Sequence, residues 1–320
     1  MARRDNLPMP RFVTLTPNPA LDVSTAVDAL VDAHKLRCDA PQMHPGGGGI
    51  NVARVLHRLG GDVLAVYPCG GATGERLHGL LQAEGVPDKQ LAIAEDTRES
   101  FTVHERQGDR EYRFVLPGPR LTADEWGACL TTLRQVSPRP AWLVSSGSLP
   151  PGVDAQGHAQ VAHLARDIGA RMVVDSSGPA LAAALQAGVW LVKPSLRELT
   201  ELTGLELKTP QVQRQAARHL IERGQAQVVA LSLGNAGAML VTADQCLQAD
   251  ALSVPVASSV GAGDSFLAAL IWALDRQADL ADALTTAMAA GAAAVMAEGT
   301  ALCQPSDIET LRHQVRLQHC

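Results

Sequence analysis

Short apolar runs alternate with longer helical patterns along nearly all of this chain, and that rhythm restricts the fold more than any other feature. Phe12–Thr16, Val63–Tyr67, Trp142–Ser145, Met172–Val174, Trp190–Val192 and Val228–Leu231 each end at Pro, Gly, Ser or Asp, the signature of buried strands. Between them, helical spacing predicts helices over about 49–59, 74–84, 122–136, 154–168, 178–187, 210–223, 261–276 and 280–296. Such alternation implies a mainly parallel sheet with helices on both faces. Composition agrees, because 46% of the 320 residues are hydrophobic but only 3% are aromatic. Small branched side chains must therefore do the packing, which suits helices on a sheet and disfavours an all-β sandwich.

Two stretches break the rhythm. Segment 22–44 has β-branched residues without helical period, and 99–116 alternates apolar and charged residues around Gln107-Gly108-Asp109, a hairpin signal. The expectation is a small antiparallel sheet beside the main domain. Phe101, Val103, Tyr112 and Phe114 would form its apolar face, with His104, Glu105 and Arg113 on the other side. Such a sheet must cover a substrate, a second subunit or both. The Ala-dense stretch 287–297 reads as a tightly packed helix.

Charge and cysteines narrow the function classes. The formal charge is −6 and no Lys/Arg run exceeds two residues, which argues against a nucleic-acid surface. Any anionic substrate must be held locally. The six cysteines, Cys38, Cys69, Cys129, Cys246, Cys303 and Cys320, stand singly, so neither zinc nor a disulfide framework is expected and reduced thiols are. Met1–Pro10 lacks an apolar run of signal length and no segment reaches ~18 apolar residues. The expectation is a cytoplasmic protein, neither exported nor membrane-spanning.

Two glycine motifs carry chemistry. Ser259-Val260-Gly261-Ala262-Gly263-Asp264-Ser265-Phe266 opens an apolar helix, where converging backbone N–H groups and the helix dipole suit a transferring phosphoryl group. Asp264 would sit beside that anion hole, as a base or merely as a helix cap. Pro45-Gly46-Gly47-Gly48-Gly49-Ile50-Asn51-Val52-Ala53-Arg54 leads into a second helix. Its glycines permit close approach of backbone to ligand, and the Asn51 amide can bond sugar hydroxyls. No Gly-Lys-Ser/Thr occurs and no G-x-G-x-x-G fits, so neither a P-loop nor a dinucleotide fingerprint is present.

In that order, the glycine loop and the G-A-G-D turn resemble the two signatures of the PfkB family of ribokinase-like carbohydrate kinases, over about residues 12–305. Thr14-Leu15-Thr16-Pro17-Asn18-Pro19-Ala20-Leu21-Asp22, Ser146-Gly147-Ser148-Leu149-Pro150-Pro151-Gly152 and Val192-Lys193-Pro194 with Glu198 match too. Within the family, Lys35-Leu36-Arg37-Cys38, the all-glycine loop, Gly70-Gly71-Ala72-Thr73-Gly74, Tyr112-Arg113-Phe114-Val115 and Val174-Asp175-Ser176-Ser177-Gly178 are most similar to the second bacterial type of 6-phosphofructokinase. The 1-phosphofructokinases and tagatose-6-phosphate kinases usually carry Lys where this chain has Gly48.

The resemblance implies a single three-layer α/β/α domain over 1–320, with lid segments at about 22–44 and 97–117. It implies that Asp264 deprotonates the sugar C1 hydroxyl while the Gly261, Ala262 and Gly263 amides stabilise the moving phosphoryl group. Asp22, Gly47, Gly48, Gly49, Asn51 and Ser148 would hold the sugar, and Lys35 with Arg98 its phosphate, Arg98 reaching from a partner subunit of a homodimer joined through the lid. ATP would lie along Lys193, Ser195, Ser232, Leu233, Gly234 and Gly237, with Glu198 acting on Mg²⁺ through water. Backbone carbonyls of Ser258, Val260, Ala294, Ala297 and Gly299 would hold a monovalent cation such as K⁺. The family commonly has Asn at the position of Ser195; Ser keeps a hydroxyl but loses the amide. The expected reaction is ATP-dependent phosphorylation of fructose 6-phosphate. Fructose 1-phosphate or tagatose 6-phosphate as substrate, and a silent sugar-phosphate sensor on the same fold, stay open.

Overall fold

The computed structural model describes residues 10–320. Ten strands form one sheet in the order β14 (Leu317–His319), β13 (Cys246–Ala249), β12 (Ala238–Val241), β11 (Ala226–Ser232), β10 (Val189–Val192), β9 (Arg171–Asp175), β8 (Trp142–Ser146), β1 (Phe12–Leu15), β4 (Val63–Cys69), β5 (Asp88–Ala92). From β11 to β5 every neighbouring pair is parallel. The edge formed by β12, β13 and β14 is antiparallel. One face is covered by α1 (Gly48–Arg58), α2 (Gly71–Ala83), α8 (Ala262–Asp275), α9 (Leu280–Val295) and α10 (Pro305–Arg312). The other is covered by α3 (Ala123–Gln135), α4 (Gly157–Ile168), α5 (Gly178–Ala187), α6 (Leu196–Thr203) and α7 (Pro210–Glu222). Successive residues of a strand feed opposite layers, as the pleat requires: Trp142 and Val144 face the first, Leu143 the second.

The eight helices and six strands read from the sequence are all found, shifted by at most about three residues at their ends. Two short helices, α6 and α10, and four strands, the edges β5 and β14 with β12 and β13 next to the latter, lie outside that reading. α6 and α10 have eight residues each, too short for a clear period, and β5 (DKQLA) is a polar edge.

The second sheet has the order β3 (Gln42–Gly46), β2 (Ala20–Val27), β6 (Arg98–Glu105), β7 (Arg110–Val115). It is mixed and not antiparallel as expected, because β2 and β6 run parallel. Three strands and two helices, β3, α1, β4, α2 and β5, separate them in the chain, so their direction is set by where the chain re-enters the lid. Register corrects Glu105 as well. Phe101, Val103 and Glu105 share one face by the two-residue repeat, and Glu105 pairs with Arg110 there, 2.7 Å away, accepting also from the Leu30 N–H at 3.1 Å.

The expectation of six reduced thiols fails at one pair. β14 docks antiparallel on β13 and brings Cys320 to Cys246, with which it forms a disulfide across 74 residues of sequence. The thiols of Cys38, Cys69, Cys129 and Cys303 are free. Among the described residues no helix is long and apolar enough to cross a membrane.

Candidate active site

Strand exits β1, β8, β9 and β10 and the start of α8 converge at one end of the parallel sheet, where an open α/β fold gathers ligand groups. Gly261 caps α8 in a left-handed conformation, φ 79°. A side chain there would collide with Leu302, whose Cδ2 lies 2.3 Å from the position of a Cβ. The first-turn N–H groups of α8, on Ala262, Gly263 and Asp264, have no acceptor within the helix, and the helix dipole adds positive potential. Asp264 is partly buried and its Oδ2 accepts a 2.8 Å hydrogen bond from Asn51 Nδ2. Burial raises its pKa, while that hydrogen bond, Lys193 and Arg113 oppose the rise.

Lys193 is buried directly beneath the glycine turn. Its Nζ is 3.1 Å from Asp175 Oδ2 and would lie 3.4 Å from a Cβ on Gly263. Burial alone would lower the Lys193 pKa, but Asp175, with Asp264 and Glu198 behind it, turns the balance and raises it. Burial likewise pushes Asp175 up to about 6 against the pull of Lys193. A cation thus stands beneath the helix start, paired with Asp175 and within electrostatic reach of Asp264 and Glu198.

The glycine loop folds onto the strand exits so closely that side chains are excluded. A Cβ on Gly46 would fall 2.3 Å from Asp22 Oδ2, on Gly48 2.2 Å from Ser146 Oγ, and on Gly49 2.6 Å from the Leu15 carbonyl. Asp22 stands on β2 opposite His44, and burial lifts its pKa to about 6 despite Arg113, Arg54 and Arg98. Asn18 Nδ2 donates to Ser148 Oγ at 3.2 Å. Arg98 lies opposite Ala20 and so shares the face of Asp22, its Nη2 donating to the Asn18 carbonyl at 2.9 Å. It therefore faces the site of its own subunit, a correction to the expectation that it reaches across a dimer. Lys35 lies apart, exposed in the loop 28–41, with no hydrogen bond or ion pair to another described residue.

On the nucleotide side, Ser195 and Ser232 form a parallel bridge, and the turn Leu233–Gly237 follows, closed by Leu233 N–H to the Gly237 carbonyl at 2.8 Å. Ser195 caps α6: its Oγ accepts from Glu198 N at 3.2 Å and its N–H donates to Glu198 Oε2 at 2.7 Å. The Ser195 hydroxyl and one Glu198 oxygen are thus engaged in a capping box, while Glu198 Oε1 is left without a hydrogen-bond partner among the described residues. Of the five carbonyls expected around a monovalent cation, that of Ala294 already accepts from Met296 and Ala297 at the end of α9. Those of Ser258, Val260, Ala297 and Gly299 accept no backbone hydrogen bond from the described residues, so four of the five remain suited to ligate a cation.

Three residues near the site had no role assigned from sequence. Asp175 was visible in Val174-Asp175-Ser176, but its partner Lys193 is brought in by the neighbouring strand. Arg113 shares the lid face of Asp22 by register with β6, a parity that the hairpin alone could have signalled. Arg54 lies mid-helix in the glycine motif with its side chain 1% exposed.

A β lid beside the strand exits, unpaired helix-start N–H groups with a carboxylate among them, and a buried lysine beneath are the parts that a phosphotransferase needs. Residues 20–307 match the pfkB family carbohydrate kinase model. The chain is 46% identical over 300 residues to ATP-dependent 6-phosphofructokinase isozyme 2 of Mycobacterium tuberculosis, covering 94% of this chain and 88% of that one. It is 42% identical over 304 residues to the protein of the same name from Escherichia coli K12, covering 95% and 98%. The crystal structure of phosphofructokinase-2 from Escherichia coli in complex with fructose-6-phosphate superimposes with a TM-score of 0.90 at 40% identity, covering 96% of this chain and 99% of that one. The potassium complex of that protein fits equally, at 0.90 and 41% identity with the same coverage. The chain belongs to the pfkB family of carbohydrate kinases.

Proposed function

We propose that this chain is an ATP-dependent 6-phosphofructokinase that transfers the γ-phosphoryl group to the C1 hydroxyl of fructose 6-phosphate. The observation that carries the reading is the Asp264 carboxylate, held by Asn51 at 2.8 Å beside the free N–H groups of α8. Its Oδ1 is left to take the hydroxyl proton. The Gly261–Gly263 turn and Lys193 meet the charge of the passing phosphoryl group in place of water. Asp22, Asn51, Ser148 and the backbone at Gly47–Gly49 border the sugar, with Arg98 and Arg113 on the lid face beside Asp22 to receive its phosphate. Lys35 would join them only if its loop folds inward or a second subunit brings it. The nucleotide runs along Ser195, Ser232, Leu233, Gly234 and Gly237.

Mg²⁺, which neutralises nucleotide phosphates when bound, would be held through water by the uncommitted oxygen of Glu198. A monovalent cation would use the carbonyls of Ser258, Val260, Ala297 and Gly299. The same reading makes the protein cytoplasmic and a homodimer through its lid. Among substrates, Gly48 favours a sugar whose existing phosphate lies at the far end, since a cation there would attract a phosphate to the near end. A coupled assay with fructose 6-phosphate, fructose 1-phosphate, tagatose 6-phosphate and fructose tests this. The largest kcat/KM is expected on fructose 6-phosphate; a larger value on fructose 1-phosphate would reassign the substrate, and no turnover on any would favour a sensor.

A further inference from the structure

Arg54 is buried to 1% exposure and has no part in the reaction above. A cation so deep is costly unless its donors are met, and the acceptors that meet them border the reacting groups. Its Nε donates to Glu84 Oε1 and Oε2 at 2.9 and 3.0 Å. Its Nη1 donates to the Pro45 carbonyl at 3.2 Å, to Asn51 Oδ1 at 3.3 Å and to the Thr300 carbonyl at 3.0 Å. Arg58 shares Glu84 at 3.0 Å and donates to the Ala301 and Cys303 carbonyls at 2.6 and 3.2 Å.

Two consequences follow for the site. A carboxamide can face either way, and a donor on Oδ1 leaves Nδ2 of Asn51 facing Asp264. The carbonyls held in 300–303 also bracket Leu302, which adopts a left-handed φ of 63° and occupies the space beside Gly261. One ion-paired guanidinium therefore touches the amide that holds Asp264 and the loop that backs the start of α8.

We propose that Arg54 is a positioning residue for phosphoryl transfer: with Glu84 as counterion and Arg58 beside it, it turns the Asn51 amide toward Asp264 and anchors loop 300–303 behind the Gly261 turn. This rests on Asp264 as the base. Arg54→Lys keeps a charge for Glu84, but a single ammonium lacks the planar fork that reaches the amide and the carbonyls together. Glu84→Gln keeps Arg54 and removes only the charge that orients it. Assays run at pH 8, above the range in which Asp22 and His44, the other titratable groups near Arg54, change state.

Arg54→Lys is expected to melt cooperatively and to lose about 10- to 100-fold in kcat, with KM for ATP within about twofold of wild type. Glu84→Gln should lose less, about three- to tenfold, again in kcat. A folded Arg54→Lys with kcat within about threefold of wild type, or with its whole loss in KM, would overturn the proposal. Should Arg54→Lys not fold, an unchanged kcat in Glu84→Gln overturns it equally and a selective kcat loss supports it. Asp264→Asn is measured alongside. If that variant keeps turnover, the base reading fails and takes this proposal with it; if it is inactive while Arg54→Lys is not, only the positioning role fails.

Discussion

Asp22, Asp175 and Asp264 meet at one end of the sheet, and burial raises the pKa of each. What separates them is their partners: a lysine for Asp175, an amide for Asp264, and for Asp22 only the more distant charges of Arg113, Arg54 and Arg98. Asp22 binds its proton more tightly in the folded chain, near 6 against an ordinary 3.8, a difference worth about 3 kcal/mol. That contribution to stability is complete below about pH 4 and is lost as pH rises through about 6. Asp22→Asn should therefore stabilise the protein by about 1–3 kcal/mol at pH 8 and by much less at pH 4.5, while raising KM for the sugar phosphate. Thermal melts at the two pH values check this, and a lower melting temperature at pH 8 would mean that the ionised carboxylate is favourable where it stands. Asp264→Asn should lower kcat by about two to four orders of magnitude with ATP binding retained. Turnover within about tenfold of wild type would remove Asp264 from the base role.

Loop 46–49 and the strand exits beneath it act as one element. At Gly48 space acts beside charge: with Ser146 as it stands, a Cβ there meets Ser146 Oγ at 2.2 Å and Gly147 N at 3.2 Å, whereas at Gly49 it meets the Leu15 carbonyl at 2.6 Å. A hydroxyl can be removed and a backbone carbonyl cannot. Gly48→Ala should raise KM for fructose 6-phosphate by about tenfold, and Ser146→Gly added to it should restore most of the loss. Gly49→Ala should be destabilised by about 1–3 kcal/mol with no such rescue. Steady-state kinetics with urea unfolding tells these apart; a Gly48→Ala that Ser146→Gly leaves unimproved would mean that the contact is not the constraint. The lid is an element of the same kind. At its outer end the lid faces the body across an open cleft of about 430 Å³, bridged by Gln42 with Glu298 and Glu111 with Ser259, each 3.2 Å long.

At the scale of the whole molecule, the outer lid face is an apolar surface left open among the described residues. Phe114 is 52% exposed, and Phe101, Val103 and Tyr112, each partly exposed, lie beside it in register, a contiguous apolar patch of the kind that marks an interaction surface. Val103→Asp with Phe114→Arg should give a folded monomer by light scattering, with KM for fructose 6-phosphate raised and KM for ATP unchanged. A folded monomer with an unchanged sugar KM would reduce the lid to a cover that needs no partner. The layered α/β/α core and the two glycine motifs were legible in the sequence because each rests on local pattern: strand runs, helical period, and glycines followed by Asn51 or Asp264. The lid's parallel β2–β6 pairing, the burial of Glu105, the Cys246–Cys320 bridge, the Lys193–Asp175 pair and the contacts of Arg54 with Asn51 and Thr300 were decided only by tertiary structure. Each joins residues from separate segments or depends on strand register, and no periodicity along a chain records which of its distant charges will share a buried site.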